Sequence, residues 1–323
     1  NKTLSDVYRG VPVLVTGHTG FKGSWLSIWL RELGAQVVGY SIDPPTRPSN
    51  FELCGLSGRV VDLRGDVRDY DRLEQVIRSH SPRIVFHLAA QAIVLSSYEQ
   101  PKETLDTNVG GTINVLEALR RTGISGAFVG ITSDKCYEDR QMVWGYREND
   151  PLGGFDPYSA SKGMAELAIA SYRNSFFPPE KQGAHGLAVA SARAGNVIGG
   201  GDFADYRLVP DCMKALLKKQ AIVVRNPASV RAWQHVLVPL SGYLLLGAEL
   251  LEKGGLLGDA CNLGPAEARP DTKRSDGVPV VRPGRCGRSS GPVRGRRGLV
   301  RPCAPPPPRR PPPPPPPPPG AAA

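Results

Sequence analysis

Val11-Pro12-Val13-Leu14-Val15-Thr16, running straight into Gly17-His18-Thr19-Gly20-Phe21-Lys22-Gly23, is the stretch that decides the fold of this chain. A short uncharged apolar run suits a central parallel strand covered on both faces. The loop then opens an amphipathic helix through Trp25, Leu26, Ile28, Trp29 and Leu33, closed by Gly34. Gly17 suits a tight turn, Gly20 a close backbone approach to a pyrophosphate, and Gly23 close packing of helix on strand. The helix N-terminus offers amide donors to phosphate. A lone glycine triplet, spaced here as GxxGxxG, says little; its place between strand and helix says more.

The alternation continues outward. A second strand, Gln36 to Ile42, ends at Asp43, twenty residues past Gly23, where an acid that bonds a ribose hydroxyl favours NAD over NADP. Arg47 nearby is either a cation that weakens this preference or a solvated loop charge. Arg59-Val-Val-Asp-Leu63 and Asp66-Val67 read as a third strand and its end, with Asp66 placed to meet an adenine amino group. A helix through Leu73, Val76 and Ile77 leads to a fourth strand, Arg83 to Ala90, whose end residues Leu88, Ala89 and Ala90 leave room for a cofactor. His87 reads as a packed core histidine. Helix 103–121 and strand 126–132 follow. Repeated βαβ units with right-handed crossovers predict an α/β fold, a doubly wound parallel sheet of Rossmann type with a smaller C-terminal substrate lobe. The boundaries read as 1–185 for the nucleotide-binding domain with the catalytic groups, 186–265 for the lobe elements, and 266–323 for a low-complexity tail.

The reactive side chains follow the strand at 126–132. Ser133-Asp134-Lys135 stands at its end, and Tyr158 and Lys162 are four residues apart, so on a helix they share a face. An ammonium beside a phenol favours the phenolate and is expected to pull Tyr158 below its ordinary value of about 10. A phenolate so placed takes a proton from a substrate hydroxyl that Ser133 also bonds. The YxxxK spacing alone is common, and surface helix residues satisfy it equally well.

Charge and cysteines bound the function class. The net charge is +10, but from Ala266 onward eleven arginines and one lysine face three acids, so that segment carries +9 and the rest +1. The body therefore lacks the basic surface of a nucleic-acid binder. Six cysteines without CxxC spacing and five histidines without a helical ligand pair argue against zinc or a disulfide framework, with no metal site expected, and fit a reducing cytoplasm. No signal peptide or membrane span is read.

Gly17xxGly20xxGly23, His87-Leu-Ala-Ala90, Asp106-Thr-Asn108, Ser133, Tyr158xxxLys162 and Arg193-Ala-Gly-Asn196 together resemble the extended short-chain dehydrogenases/reductases, the nucleotide-sugar epimerases and dehydratases, over roughly residues 8–265. Ser133-Asp134-Lys135-Cys-Tyr137, Arg225-Asn-Pro227 and Arg231-Ala-Trp233-Gln234-His235 are similar to the CDP-glucose 4,6-dehydratase group within that family. The resemblance implies bound NAD, a CDP-glucose substrate, a homodimer and a place in deoxysugar and O-antigen biosynthesis. It also implies residue roles. Tyr158 and Lys162 carry out proton transfer at C4, Asp134 is the acid at O6, and Lys135 is the base at C5 or an ion-paired neighbour of Asp134. Asn108 supports the relay. Arg193 and Asn196 contact the substrate diphosphate and sugar, and Arg207, Arg231 and His235 are diphosphate or nucleotide ligands or surface ion pairs. Trp233 is a packing residue or a base-stacking platform. Leu105, Val109, Met164, Leu167 and Ala168 face either a partner subunit or the protein's own sheet.

After Cys261-Asn-Leu-Gly-Pro265 the composition becomes Arg- and Pro-rich, with proline tracts at 305–308 and 311–319. Such a segment buries too little apolar surface to fold. A frame-shifted reading of a GC-rich gene accounts for it; a genuine basic tail that recruits SH3-like partners or polyanions is the alternative. Three functions follow: an active dehydratase, another nucleotide-sugar dehydratase or epimerase, or a chain that binds NAD without turnover because its lobe is incomplete.

Overall fold

The computed structural model describes residues 2–140, 145–224, 231–255 and 259–264. The tail from 266 and the Arg225-Asn-Pro227 motif lie outside the described residues. After a short helix α1 (Leu4–Tyr8), the chain alternates β1 (Pro12–Thr16), α2 (Phe21–Glu32), β2 (Gln36–Ser41), α3 (Asn50–Leu53), β3 (Val61–Arg64), α4 (Tyr70–His80) and β4 (Ile84–His87). Two short helices, α5 (Val94–Glu99) and α6 (Pro101–Leu105), lead into α7 (Gly111–Thr122), β5 (Gly126–Ile131), α8 (Pro157–Ser175), α9 (Gln182–His185) and β6 (Leu187–Ala194). Then come β7 (Asn196–Ile198), α10 (Leu208–Leu217), β8 (Trp233–His235), α11 (Leu237–Lys253) and β9 (Ala260–Leu263).

Seven strands form one sheet in the order β3-β2-β1-β4-β5-β6-β9, with every neighbour pair parallel. The order reverses direction between β1 and β4, and in such sheets ligands bind beyond the strand carboxyl ends at that point. The expected doubly wound sheet is therefore present, and β6 and β9, from beyond residue 186, complete it. A separate parallel pair, β7 with β8, lies past the carboxyl end of β6.

Side-chain alternation along the strands builds two cores. Val13, Val15, Phe86, Val129, Ala190 and Ala192 pack on one face with Leu26, Leu30, Tyr243 and Leu244 of α2 and α11. Leu14, Val38, Val85, Phe128 and Val189 pack on the other with residues of α4, α7 and α8, among them Leu73, Ile77, Leu116 and Ile169. Both faces being covered is why these strands read as continuous apolar runs. Burying each of the valine, leucine, isoleucine and phenylalanine side chains among them contributes about 1.5–3 kcal/mol before entropy is counted.

Helix 103–121 is present as one unbroken helical run over 101–122, but not all of it is α-helix. Between α6 and α7 lies one wide turn of π-helix, Asp106–Gly110. It carries the buried Asn108, whose Nδ2 donates to the Gln91 carbonyl at 3.0 Å and to Ser161 Oγ at 2.8 Å, while its Oδ1 accepts from the Gln91 amide at 2.8 Å. An inserted residue of this kind marks a place where the helix serves a side chain. No described helix is long and apolar enough to cross a membrane.

The glycine loop depends on contact distance. A Cβ on Gly23 would stand 2.1 Å from the Gly17 carbonyl oxygen, and Gly17 itself has φ +77° with Ala89 and Leu88 backbone packed against it. Gly23→Ala is expected to cost about 1–3 kcal/mol by overpacking against a backbone atom that cannot rotate away. Urea unfolding measures this, and an unchanged midpoint would mean that the loop yields.

Candidate active site

Where β1 meets α2, Gly20 is the N-cap with no side chain bonded to the helix end. A Cβ at Gly20 would touch only the Gly17 carbonyl oxygen at 3.3 Å, so the loop is open on that side. Thr19 is buried, bonded at 2.8 Å with Ser41 Oγ and donating to the Ile42 carbonyl at 3.2 Å. The helix end without a side-chain cap and the bare glycine backbone fit a dinucleotide pyrophosphate. His18 contributes backbone to this loop, but its ring is fully buried beside Gly39, with Nε2 2.8 Å from Asp62 Oδ1. Burial pushes its pKa down, only partly opposed by Asp62.

Along the carboxyl ends, Asp43 follows β2 and its side chain is 88% exposed. The cation beside it is Arg64 at 3.6 Å, whereas Arg47 lies 3.7 Å from Glu52. Asp66 binds Arg68 through both oxygens, and Arg68 holds its carboxyl below the usual range. Val67 is buried against α7, where a Cβ on Gly111 would stand 2.6 Å from it. Ala89 and Ala90 are half-buried past β4, as is Leu88, and the Ala89 amide donates to Thr16 Oγ1 at 3.3 Å. His87 is bonded to Thr16 and Thr112, and burial pushes it down to about 3, so it is a neutral core residue.

The catalytic candidates converge at the end of β5 and the start of α8. Ser133 is buried and caps a 3-10 turn over Asp134–Cys136, donating to Asp134 Oδ1 at 3.0 Å and accepting from the Lys135 amide at 3.2 Å. Tyr158 and Lys162 both lie on the buried face of α8, and the Ser133 hydroxyl acts to favour the charged form of the Tyr158 phenol. Against expectation, the phenol is not lowered. Burial pushes Tyr158 up to about 12, and the Ser133 hydroxyl and Arg207 charge do not offset it. Lys162 pays the same desolvation in the opposite sense and falls to about 8. Lys22 also falls to about 8, through burial first and then through Arg207 and Lys162, with Asp134 and Asp202 opposing. Lys22, Lys162, Asp134, Asp202 and Arg207 thus form one electrostatic cluster spanning the glycine loop and the catalytic turn.

Arg193 corrects an expectation. It is 4% exposed and does not reach out toward a diphosphate: Nη2 pairs with Glu166 Oε2 at 2.7 Å, and Nη1 donates to Tyr137 Oη at 2.7 Å and the Glu148 carbonyl at 2.9 Å. Glu166 also accepts from Ser191 at 2.7 Å and from Thr132. Glu166 escaped the sequence reading, although its position four residues after Lys162 is a signal: an acid on the buried stripe that already holds Tyr158 and Lys162 needs a partner. Asn196 lies on β7, its amide donating to the Ala232 carbonyl at 3.1 Å, and Trp233 is half-buried opposite it. Arg207 caps α10 and pairs with Asp202 at 3.0 Å. Arg231 and His235 are exposed.

The family model described as GDP-mannose 4,6 dehydratase matches residues 14–238. The chain belongs to that dehydratase family. The CDP-glucose 4,6-dehydratase of Salmonella typhimurium is 53% identical over 262 residues, covering 81% of this chain and 73% of the relative. DesIV, a dTDP-glucose 4,6-dehydratase from Streptomyces venezuelae solved with NAD, is 25% identical with a TM-score of 0.66, over 78% of this chain and 75% of that one. A UDP-glucose 4-epimerase from Thermus thermophilus, solved with NAD, is 27% identical with the same TM-score of 0.66, over 80% of this chain and 79% of that one. The fold is thus common to both chemistries, and the dehydratase family, a class of hydro-lyases, is what the sequence match adds.

Lys162 yields a pH test. The unfolded chain keeps its proton to about 10.5 and the folded chain only to about 8, so the unfolded state holds more protons between those values and stability rises with pH across them. Lys162→Met removes this strain. The variant is expected to exceed the wild type by on the order of 3 kcal/mol below the window, with the advantage gone above it. Denaturant titrations on either side of the window measure the difference; a constant offset would sink the idea.

Proposed function

We propose that this protein converts CDP-glucose to CDP-4-keto-6-deoxyglucose by an internal redox dehydration with bound NAD. The observation that carries the reading is the convergence of Ser133, Asp134, Tyr158 and Lys162 beyond the uncapped, glycine-bounded start of α2. The 53% identity to a CDP-glucose 4,6-dehydratase supports the choice of sugar nucleotide.

Gly17, Gly20, Gly23 and the α2 amides would hold the pyrophosphate of NAD, Thr19, Asp43 and Asp66 would line its adenosine half, and Ala89 and Ala90 would leave room for its ring. NAD⁺ supplies, when bound, a cationic ring that accepts a hydride and later returns it. Tyr158 takes the proton of the C4 hydroxyl, for which its phenol must come down from about 12; the positive groups around it are Arg207 and, one helical turn on, Lys162. Ser133 orients the same hydroxyl. Asp134, held by Ser133 at 3.0 Å, gives its proton to the C6 hydroxyl as water leaves. Lys135, on the same turn, removes the C5 proton. Lys22 and Arg207 face the phosphates as cations.

Two chains pair through α7 and α8, where Ile113, Met164 and Leu167 stand exposed. The enzyme acts in the cytoplasm, in deoxysugar synthesis for O-antigen. A second reading, cofactor binding without turnover, draws on one observation: Met213, Leu216 and Leu217 of α10 are exposed among the described residues, and the Arg- and Pro-rich sequence after Pro265 offers little apolar surface to cover them.

Incubation with CDP-glucose and NAD⁺ tests both. Loss of one water from the sugar without net NADH is expected; bound NAD⁺ with no product would favour the second reading. Tyr158→Phe is expected to lower turnover by about 10²–10⁴-fold, the usual contribution of a positioned proton acceptor; near-normal turnover would remove Tyr158 from this role. Lys135→Ala is expected to slow exchange of the C5 hydrogen with deuterated solvent far more than the first oxidation. Equal slowing of both would assign Lys135 to holding Asp134.

A further inference from the structure

The carboxyl ends of β2 and β3 carry a charge arrangement that the dehydration does not use. Arg64, the last residue of β3, donates from Nη2 to Asp62 Oδ2 at 2.9 Å and from Nη1 to the Ile42 carbonyl at 3.1 Å. Its guanidinium carbon lies 5.0 Å from the centre of the Phe51 ring. Asp62 is itself braced by the buried His18 at 2.8 Å, and His18 meets Phe51 edge-on at 5.4 Å. The guanidinium is therefore set by one carboxylate, one carbonyl and one ring. Asp43 adds little to this: its Oδ1 is 3.6 Å away on a side chain open to solvent, and exposed pairs of this kind contribute little. Removing the Asp43 carboxylate would leave Arg64 in place.

We propose that Arg64 is a specificity-determining residue for the adenosine ribose, a preset cation for a 2′-phosphate whose use Asp43 blocks. The proposal rests on the dinucleotide reading of this site. A carboxylate at the end of β2 bonds a ribose 2′-hydroxyl and repels a 2′-phosphate, whereas a held guanidinium presents a planar pair of donors that matches phosphate oxygens. Here the two stand side by side at the same strand ends. The carboxylate decides the preference for NAD, and the cation that NADP would need is already in position. Arg47, the other arginine near Asp43 in sequence, is directed to Glu52 and does not take this place.

The test is calorimetric titration of the full chain with NAD⁺, NADP⁺ and adenosine 2′,5′-bisphosphate, for the wild type, Asp43→Ser, Arg64→Gln and the double variant. The wild type is expected to prefer NAD⁺. Asp43→Ser is expected to bind NADP⁺ and the bisphosphate about tenfold more tightly than the wild type does, the scale of one charge-assisted hydrogen bond. The double variant is expected to lose that gain. Asp43→Ser with Arg64→Lys, which keeps the charge without the fork, is expected to retain part of it, and a thermal unfolding midpoint close to that of the wild type certifies that each variant is folded. A gain that persists in the double variant would overturn the proposal, because relief of repulsion alone would then explain it. No gain in a folded Asp43→Ser would overturn it equally. A wild type that binds no NAD⁺ would overturn the dinucleotide reading and this inference with it.

Discussion

Glu166 and Arg193 meet at 2.7 Å with side chains 3% and 4% exposed, and the geometry of the catalytic end is built on that pair. The Glu166 carboxylate also takes the hydroxyls of Thr132 and Ser191, so one side chain of α8 gathers the ends of β5 and β6. Ser133 is the next residue after Thr132, and Lys162 is one helical turn before Glu166. Arg193 reaches on to Tyr137, whose hydroxyl donates to Asn262 Oδ1 at 2.7 Å, bringing in β9. A buried pair of this kind adds little net stability over an apolar replacement, because desolvation offsets the attraction, yet breaking it costs about 3–5 kcal/mol. Its consequence is positional: strand ends and catalytic helix are held in one arrangement.

Desolvation governs the chemistry around that frame. The same low-dielectric setting that drives the Tyr158 phenol up to about 12 drives Lys22 and Lys162 down to about 8 and leaves His87 neutral. In each case the charged form is disfavoured, and the sign differs only because acids and bases charge in opposite directions. Lys22, Lys162 and Arg207 bring three basic groups to this end of the sheet.

Much of this was legible in the chain. The glycine loop, the largely apolar strands and the Tyr158–Lys162 spacing all follow from local rules: turn geometry, two-sided burial and the period of a helix. The doubly wound parallel sheet also followed, since right-handed βαβ crossovers leave few alternatives. Other features were not legible. The π-turn at Asp106–Gly110 has no local signature, and it carries the Asn108 side chain that bonds Gln91 and Ser161. Arg193 read as a substrate ligand because its neighbourhood in sequence resembles a binding motif, while its partner Glu166 lies 27 residues away.

What the amino-acid order determined alone was the set of elements and the groups that could react: periodicity and backbone preference act over a few residues, so a strand, a glycine turn or a pair of side chains on one helix face can be read directly. Only the tertiary structure decided which charges meet. Arg64, not Arg47, stands beside Asp43, and Arg193 turns inward to Glu166 while Tyr158 is raised where its lysine neighbour was expected to lower it. Burial and long-range pairing set these outcomes, and both are properties of the packed molecule, since desolvation depends on every element that closes over a group.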